Sequence, residues 1–144
     1  MQKRGLVILL LEDQEHDLLF LRCAVAKLNG GHQLHSVHNG EEAIHYLLGK
    51  REFTKRHQFP LPDLILTDLN MPLMDGLEFL RWRRNSPRWS VIPTIMFSGS
   101  GLPRDVREAY QLGANSFFTK PSNQAELVQT LHSIFDYWAK AARV

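Results

Sequence analysis

The sequence predicts a doubly wound α/β domain, a parallel sheet with helices on both faces. Short apolar runs of strand length alternate with stretches whose apolar residues recur at steps of three and four. The connections between them are mostly short, as strand-helix units require. The runs end in acidic or polar residues, at the edge where such a sheet opens its ligand crevice. The 144 residues are one domain's length, and a hydrophobic content of 44% is enough to bury a core.

Leu6 to Leu11 is a continuous apolar run, the pattern of a strand covered on both faces. With Lys3-Arg4 before it, this start superficially resembles a signal peptide, yet the run stops at Glu12-Asp13 and no cleavage site follows. Leu18, Leu21, Val25 and Leu28 then trace one face of a helix that Gly30-Gly31 ends. A weaker strand lies around Leu34 to His38. After it Asn39 can cap a helix and Glu42 can reach back to it, with Ala43, Ile44, Leu47 and Leu48 as the buried face. From 49 to 62 the pattern dissolves into a basic loop, Lys50-Arg51 and Lys55-Arg56-His57 with two prolines, long enough to read as an insertion.

Asp63 to Asp68 is the third strand, followed by the Met71-Pro72 turn and a helix from about Gly76 to Arg84. Ile92 to Phe97 is the fourth strand. Ser98-Gly99-Ser100-Gly101 leads to a helix with Pro103 near its first turn and Gly113 as its stop. A short fifth strand, Ser116 to Thr119, passes through Lys120-Pro121 to a last helix capped by Ser122 or Asn123. Leu127, Leu131, Ile134 and Trp138, flanked by Val128 and Phe135, give it a broad apolar face. Right-handed crossovers between five such pairs leave few topologies, and the expected one is the flavodoxin-like order 2-1-3-4-5. Residues 1–144 read as a single domain, with no repeat or linker to divide them and no room for an output domain after the last helix.

Lys and Arg exceed Asp and Glu by two (17 − 15), which does not by itself argue for nucleic acid or membrane. Cys23 is the sole cysteine, so no intramolecular disulfide can form; a cytoplasmic setting fits, with Cys23 packed in its helix. No apolar segment has the length of a bilayer span.

The strand ends bring together Glu12-Asp13, Asp68, Ser98 and Lys120 at one edge. Carboxylates gathered there suit a divalent cation bound through oxygen. With these positions in order, the sequence resembles a response-regulator receiver domain of two-component signalling, over essentially its whole length. The resemblance implies that Asp68 accepts a phosphoryl group from a histidine of a sensor kinase. It implies that Asp13 and Asp68 ligate Mg²⁺ directly, with the main-chain carbonyl of Asn70 completing the protein ligands and Glu12 acting through water. Lys120 would supply a fixed cation and Ser98 a hydroxyl for the phosphate, beside the space left by Gly99. Phe117, three residues before Lys120, would be the aromatic switch that moves with Ser98 and, lacking a hydroxyl, would bury fully. Lys120-Pro121 would be a cis peptide that turns Lys120 inward. Asn70 and Ser100, at the positions that tune dephosphorylation, are not ionisable.

The basic insertion, the stretch from Gly113 to Ser122, and Tyr137-Trp138 resemble single-domain regulators that serve phytochrome-type sensor kinases. Such regulators pair through the fourth helix, fifth strand and fifth helix, and the face ending at Trp138 would suit a homodimer. Three other readings compete. A haloacid-dehalogenase-type phosphohydrolase would place a second Asp two residues after the nucleophile, where Asn70 stands. A pseudo-receiver would dock without being phosphorylated. A nucleic-acid module would use Arg81-Trp82-Arg83-Arg84 and Arg88-Trp89, although Trp82 can pack inward with the arginines solvated. His32, His35 and His38 alternate along a strand and so do not converge on a metal; they read as surface residues.

Overall fold

The computed structural model describes residues 5–143, so the Lys3-Arg4 pair lies outside the described residues. The elements are β1 (Val7–Leu11), α1 (Glu15–Ala26), β2 (Gln33–Val37), α2 (Gly40–Leu48), β3 (Leu64–Thr67), α3 (Gly76–Arg84), β4 (Thr94–Ser98), α4 (Pro103–Gln111), β5 (Ser116–Thr119) and α5 (Gln124–Lys140), with one short 3₁₀ turn at Arg51–Phe53. The five strands pair in parallel in the order β2-β1-β3-β4-β5, the flavodoxin-like topology that the sequence predicts.

Alternation along the central strands divides their side chains between two layers. Ile8, Leu10, Leu66 and Phe97 pack with Leu21 of α1 and Leu131 of α5 on one face. Leu9, Leu11 and Ile65 meet Ala43 and Leu47 of α2 and Phe79 of α3 on the other. Burial on both sides explains why these strands read as continuous apolar runs. The pairing sets Leu11 opposite both Val37 and Thr67, and Ser98 opposite Thr119, so the carboxyl ends of the strands form one edge.

Local chemistry fixes the helix ends. Asn39 accepts from the Glu42 amide at 2.9 Å, as expected of a cap. The Glu42 carboxylate, however, reaches the backbone N–H of His38 at 3.3 Å and its ring at 2.9 Å rather than the cap residue itself. At α3 the capping box is complete, with Asp75 accepting from Glu78 N–H and Glu78 accepting from Asp75 N–H. α1 stops at Ala26, before the two glycines, and Leu28 packs against the core from the turn that follows. β4 begins at Thr94 rather than Ile92, because Pro93 has no N–H to give to a sheet.

Three expectations need correction, those for Arg83, for Cys23 and for the histidines. The basic loop itself is packed: Phe53 is buried, and Tyr46, Phe53 and Phe59 meet ring to ring with centroids 5.1–6.0 Å apart. Arg56 folds back over the end of α2 and donates to the carbonyls of Tyr46 at 2.8 Å and Leu47 at 2.6 Å, where the helix dipole favours a cation. Arg83 is not solvated. At 3% exposure its guanidinium donates twice to the Ile92 carbonyl and once to that of Gly113, tying α3 to the entries of β4 and β5. Burial lowers its pKa to about 10. Trp82 does turn inward and stacks on Phe79, and Trp89 is buried, while Arg81, Arg84 and Arg88 are exposed.

Cys23, expected in the packing, is exposed. His32 and His35, expected at the surface, are half-buried. The His32 ring accepts from the Leu6 amide at 3.0 Å and lies 5.0 Å from Phe135, while His35 faces Tyr46; burial lowers both pKa values. β2 is an edge strand, and these side chains fill space under the flanking helices instead of facing water.

Replacing Arg83 by Ala should remove its three hydrogen bonds to the Ile92 and Gly113 carbonyls, leaving Ile92 O to the Thr94 hydroxyl, at a cost of about 3 kcal/mol. Arg83→Lys should recover only part, since an ammonium cannot reproduce the planar fork. Urea unfolding checks this, and an alanine loss below about 1 kcal/mol would refute the anchoring role.

Tyr46 offers a pH test. Burial raises its pKa to about 12, and its hydroxyl donates to the Pro60 carbonyl at 2.8 Å. The unfolded chain releases that proton near pH 10. The stabilisation is therefore complete below pH 10 and lost as the pH rises toward 12. Stability measured across that window should fall more steeply in the parent than in Tyr46→Phe; parallel curves would show that Tyr46 titrates as it does in the unfolded chain.

Candidate functional site

Each strand contributes to the edge through main-chain hydrogen bonds that continue past the strand itself. Glu12 N–H donates to Val37 O at 3.0 Å, Asp68 N–H to Leu11 O at 3.0 Å and Lys120 N–H to Ser98 O at 2.7 Å. These bonds hold the residue after β1, β3 and β5 in register, and the side chains project into a common space. Oxygens of Glu12, Asp13 and Asp68 lie within 4.8 Å of one another. Gly76 keeps α3 close beneath: a Cβ there would run into the Asp68 carbonyl oxygen, so only glycine lets the helix start against the acid's backbone. The Asp68 carboxylate is fixed by the Leu69 N–H, which donates to Oδ1 at 2.7 Å.

Lys120 spans the cluster. Its Nζ lies 2.7 Å from Glu12 Oε1, 2.9 Å from Asp17 Oδ2 and 3.3 Å from Asp68 Oδ2. Glu12 is 1% exposed and Asp68 7%. Burial raises the pKa of Glu12; the Lys120 hydrogen bond opposes this and the Asp68 charge adds to it, leaving the carboxyl above its ordinary range. For Lys120 burial acts downward, but hydrogen bonds to Glu12 and Asp17 and the neighbouring negative charges outweigh it, so the ammonium is held more firmly than usual. One monovalent cation serves three carboxylates. Asp13 Oδ1 is buried with no hydrogen-bond partner, as an oxygen prepared for a metal would be. The donors are hard oxygens, so the residues fit Mg²⁺ or a similar divalent ion.

Ser98 is fully buried at the end of β4, where its Oγ accepts from Ser100 N–H at 3.2 Å. A Cβ at Gly99 would meet nothing within 4 Å, so the space at that glycine, next to Ser98 in the chain, is open. Asn70 follows Asp68 in the loop and is exposed, as is Ser100. Phe117 packs on Met96, Leu80 and Ala109 but is half-buried rather than fully buried, because β5 is the sheet's edge strand. Its N–H donates to the Tyr110 hydroxyl at 3.1 Å. The expected cis peptide is absent: the described residues contain none, so Lys120-Pro121 is trans. The Lys120 N–H bond to Ser98 continues the β5 ladder, and that register aims the lysine inward without a cis turn.

Asp17 was not among the predicted site residues. It lies four residues after Asp13, in the first turn of α1. That spacing was the available signal, but the sequence does not show that Lys120 arrives opposite it.

The fold and this acidic pocket define the class: a flavodoxin-like α/β domain with a carboxylate cluster and an opposed lysine at the carboxyl edge of its sheet. The sequence profile of the response regulator receiver domain matches residues 8–132, and the chain belongs to that family. Response regulator Rcp1 of Synechocystis sp. is 31% identical over 132 residues, covering 92% of this chain and 88% of Rcp1. The phosphorylated cyanobacterial phytochrome response regulator RcpA has 32% identity and a TM-score of 0.86, covering 96% of this chain and 98% of that one. The Mn²⁺-bound form of Rcp1 has 30% identity and a TM-score of 0.82, covering 96% and 97%. The chain is thus a receiver-domain response regulator similar to phytochrome-associated ones, and it is not a turnover enzyme.

Proposed function

We propose that this protein is a phosphoryl-accepting switch that receives its phosphoryl group on Asp68 from a histidine of a sensor kinase, of the phytochrome type, in the cytoplasm. The observation that carries this reading is the convergence of Glu12, Asp13 and Asp68 within 4.8 Å, with Lys120 Nζ 3.3 Å from the Asp68 carboxylate. Likeness to the phosphorylated RcpA and the Mn²⁺-bound Rcp1 supports it. No helix among the described residues is long and apolar enough to cross a membrane.

In the transfer an Asp68 oxygen forms a bond to phosphorus as the P–N bond of a phosphohistidine breaks, and the departing imidazole takes up a proton. Asp13, Asp68 and the Asn70 main-chain carbonyl would hold Mg²⁺, with Glu12 acting through water. The ion would draw off charge from the phosphoryl oxygens. The protein's own part is positioning and charge. Leu69 N–H fixes the carboxylate, Lys120 offsets the negative charge of the acyl phosphate, and the Ser98 hydroxyl donates to a phosphate oxygen. For that donation Ser98 leaves its loop contact with Ser100, and Phe117 at the edge of β5 follows into the room around it. Asn70 and Ser100 supply no acid or base for hydrolysis.

Incubation with acetyl phosphate and Mg²⁺ should add one phosphoryl group to the intact mass. Asp68→Asn and a chelator should each abolish the gain. A folded parent protein whose mass does not change would instead favour a pseudo-receiver.

The face of α4, β5 and α5 is the output surface of this reading. Tyr137 is 62% exposed and meets Trp138 edge to face, and Tyr110 and Leu102 on and before α4 are half or nearly half exposed. Sedimentation should reveal self-association through this face that changes with phosphorylation, weakened by Tyr137→Ser. Monomer alone in both states would eliminate it.

A further inference from the structure

We infer that Asp17 is a positioning residue for the cation site: it draws the Lys120 ammonium toward α1 and away from the Asp68 carboxylate. The inference rests on the reading of Glu12, Asp13 and Asp68 as a divalent-cation site and extends it to a fourth carboxylate.

Lys120 has three donors and no acceptor. Its two short contacts go to Glu12 at 2.7 Å and Asp17 at 2.9 Å, while Asp68 receives the longest, at 3.3 Å. The lysine therefore leans toward the α1 side of the pocket rather than sitting centrally on Asp68.

The start of α1 shows why Asp17 is available for this contact. Asp17 occupies the third helical position, where an acidic side chain ordinarily turns back to the N-cap amide. Here that amide, of Gln14, donates instead to Glu12 Oε2 at 3.1 Å, and Gln14 makes no side-chain cap. Glu12 thus serves the helix start with one oxygen and Lys120 with the other, which frees Asp17 from capping and leaves its carboxylate to the lysine across the pocket. An acid in a first turn also interacts well with the helix dipole, but that role needs no partner 103 residues away in the chain.

Lysine and metal compete for the same oxygens. An ammonium placed fully on Asp68 would occupy an oxygen that a divalent ion needs and would repel the ion. With Asp17 and Glu12 holding it on the α1 side, Lys120 stays within reach of an incoming phosphate yet leaves Asp68 accessible. Neutralising Asp17 releases the lysine onto Asp68, and the cation site weakens.

The test is a double-mutant cycle on Mg²⁺ affinity measured by calorimetry, with no phosphoryl donor present. Asp17→Asn should weaken Mg²⁺ binding about fivefold in the parent protein, and by less than about twofold in a Lys120→Ala background, where there is no ammonium to release. Thermal unfolding checks that each protein is folded, and Asp17→Ala serves as a second variant. Equal losses in the two backgrounds would mean that Asp17 acts through its own charge alone, and no loss in either would mean that it does not act on the site; both overturn the inference. Phosphoryl uptake is scored separately. A parent protein that binds Mg²⁺ but takes up no phosphoryl group would refute the proposed function, while the cycle would still decide whether Asp17 positions the lysine.

Discussion

Carboxylates from two strand ends and one helix crowd the carboxyl edge of this sheet, and their mutual repulsion is the constraint around which the site is built. Two like charges about 4 Å apart repel by about 4 kcal/mol at an effective dielectric of about 20. Lys120 offsets part of that and touches Glu12, Asp17 and Asp68 at once. The unpartnered Asp13 Oδ1 marks where compensation stops. A site so arranged gains from a divalent cation and then from the dispersed charge of a phosphoryl group, which is the physical basis for a switch.

The scaffold keeps those charges in place by ordinary means. Parallel pairing aligns the strand ends, and main-chain bonds from Glu12, Asp68 and Lys120 extend that order one residue beyond each strand. Gly76 allows α3 to start directly against Asp68. Farther away, Arg83 and Arg56 lay cationic side chains against backbone carbonyls at the ends of helices and strands. Both act as braces between elements rather than as surface charges.

Most of the architecture was legible because its causes are local or periodic. Continuous apolar runs require a sheet covered on both faces, Asn39 and Asn123 cap helices through their own side chains, and α3 and β5 have the predicted bounds. Glu12, Asp13, Asp68 and Lys120 were readable together because a strand end in a parallel sheet has only one edge to face. The misreadings concern partners distant in sequence. Arg83 read as solvated because no local pattern announces the Ile92 and Gly113 carbonyls; Phe117 read as fully buried because it lacks a hydroxyl, although the expected strand order already put β5 at the edge of the sheet.

By itself the sequence determined the strand order, the two-sided core and the acids at the strand ends, since these follow from the period of apolar residues and the handedness of crossovers. Only the tertiary structure decided how the charges share Lys120. The pairing of Asp17 with a residue 103 positions away and the tilt of the ammonium toward α1 depend on where α1 and β5 meet in space. Electrostatic partnership is set by distances of a few ångströms, and a sequence specifies those only after the whole sheet has closed.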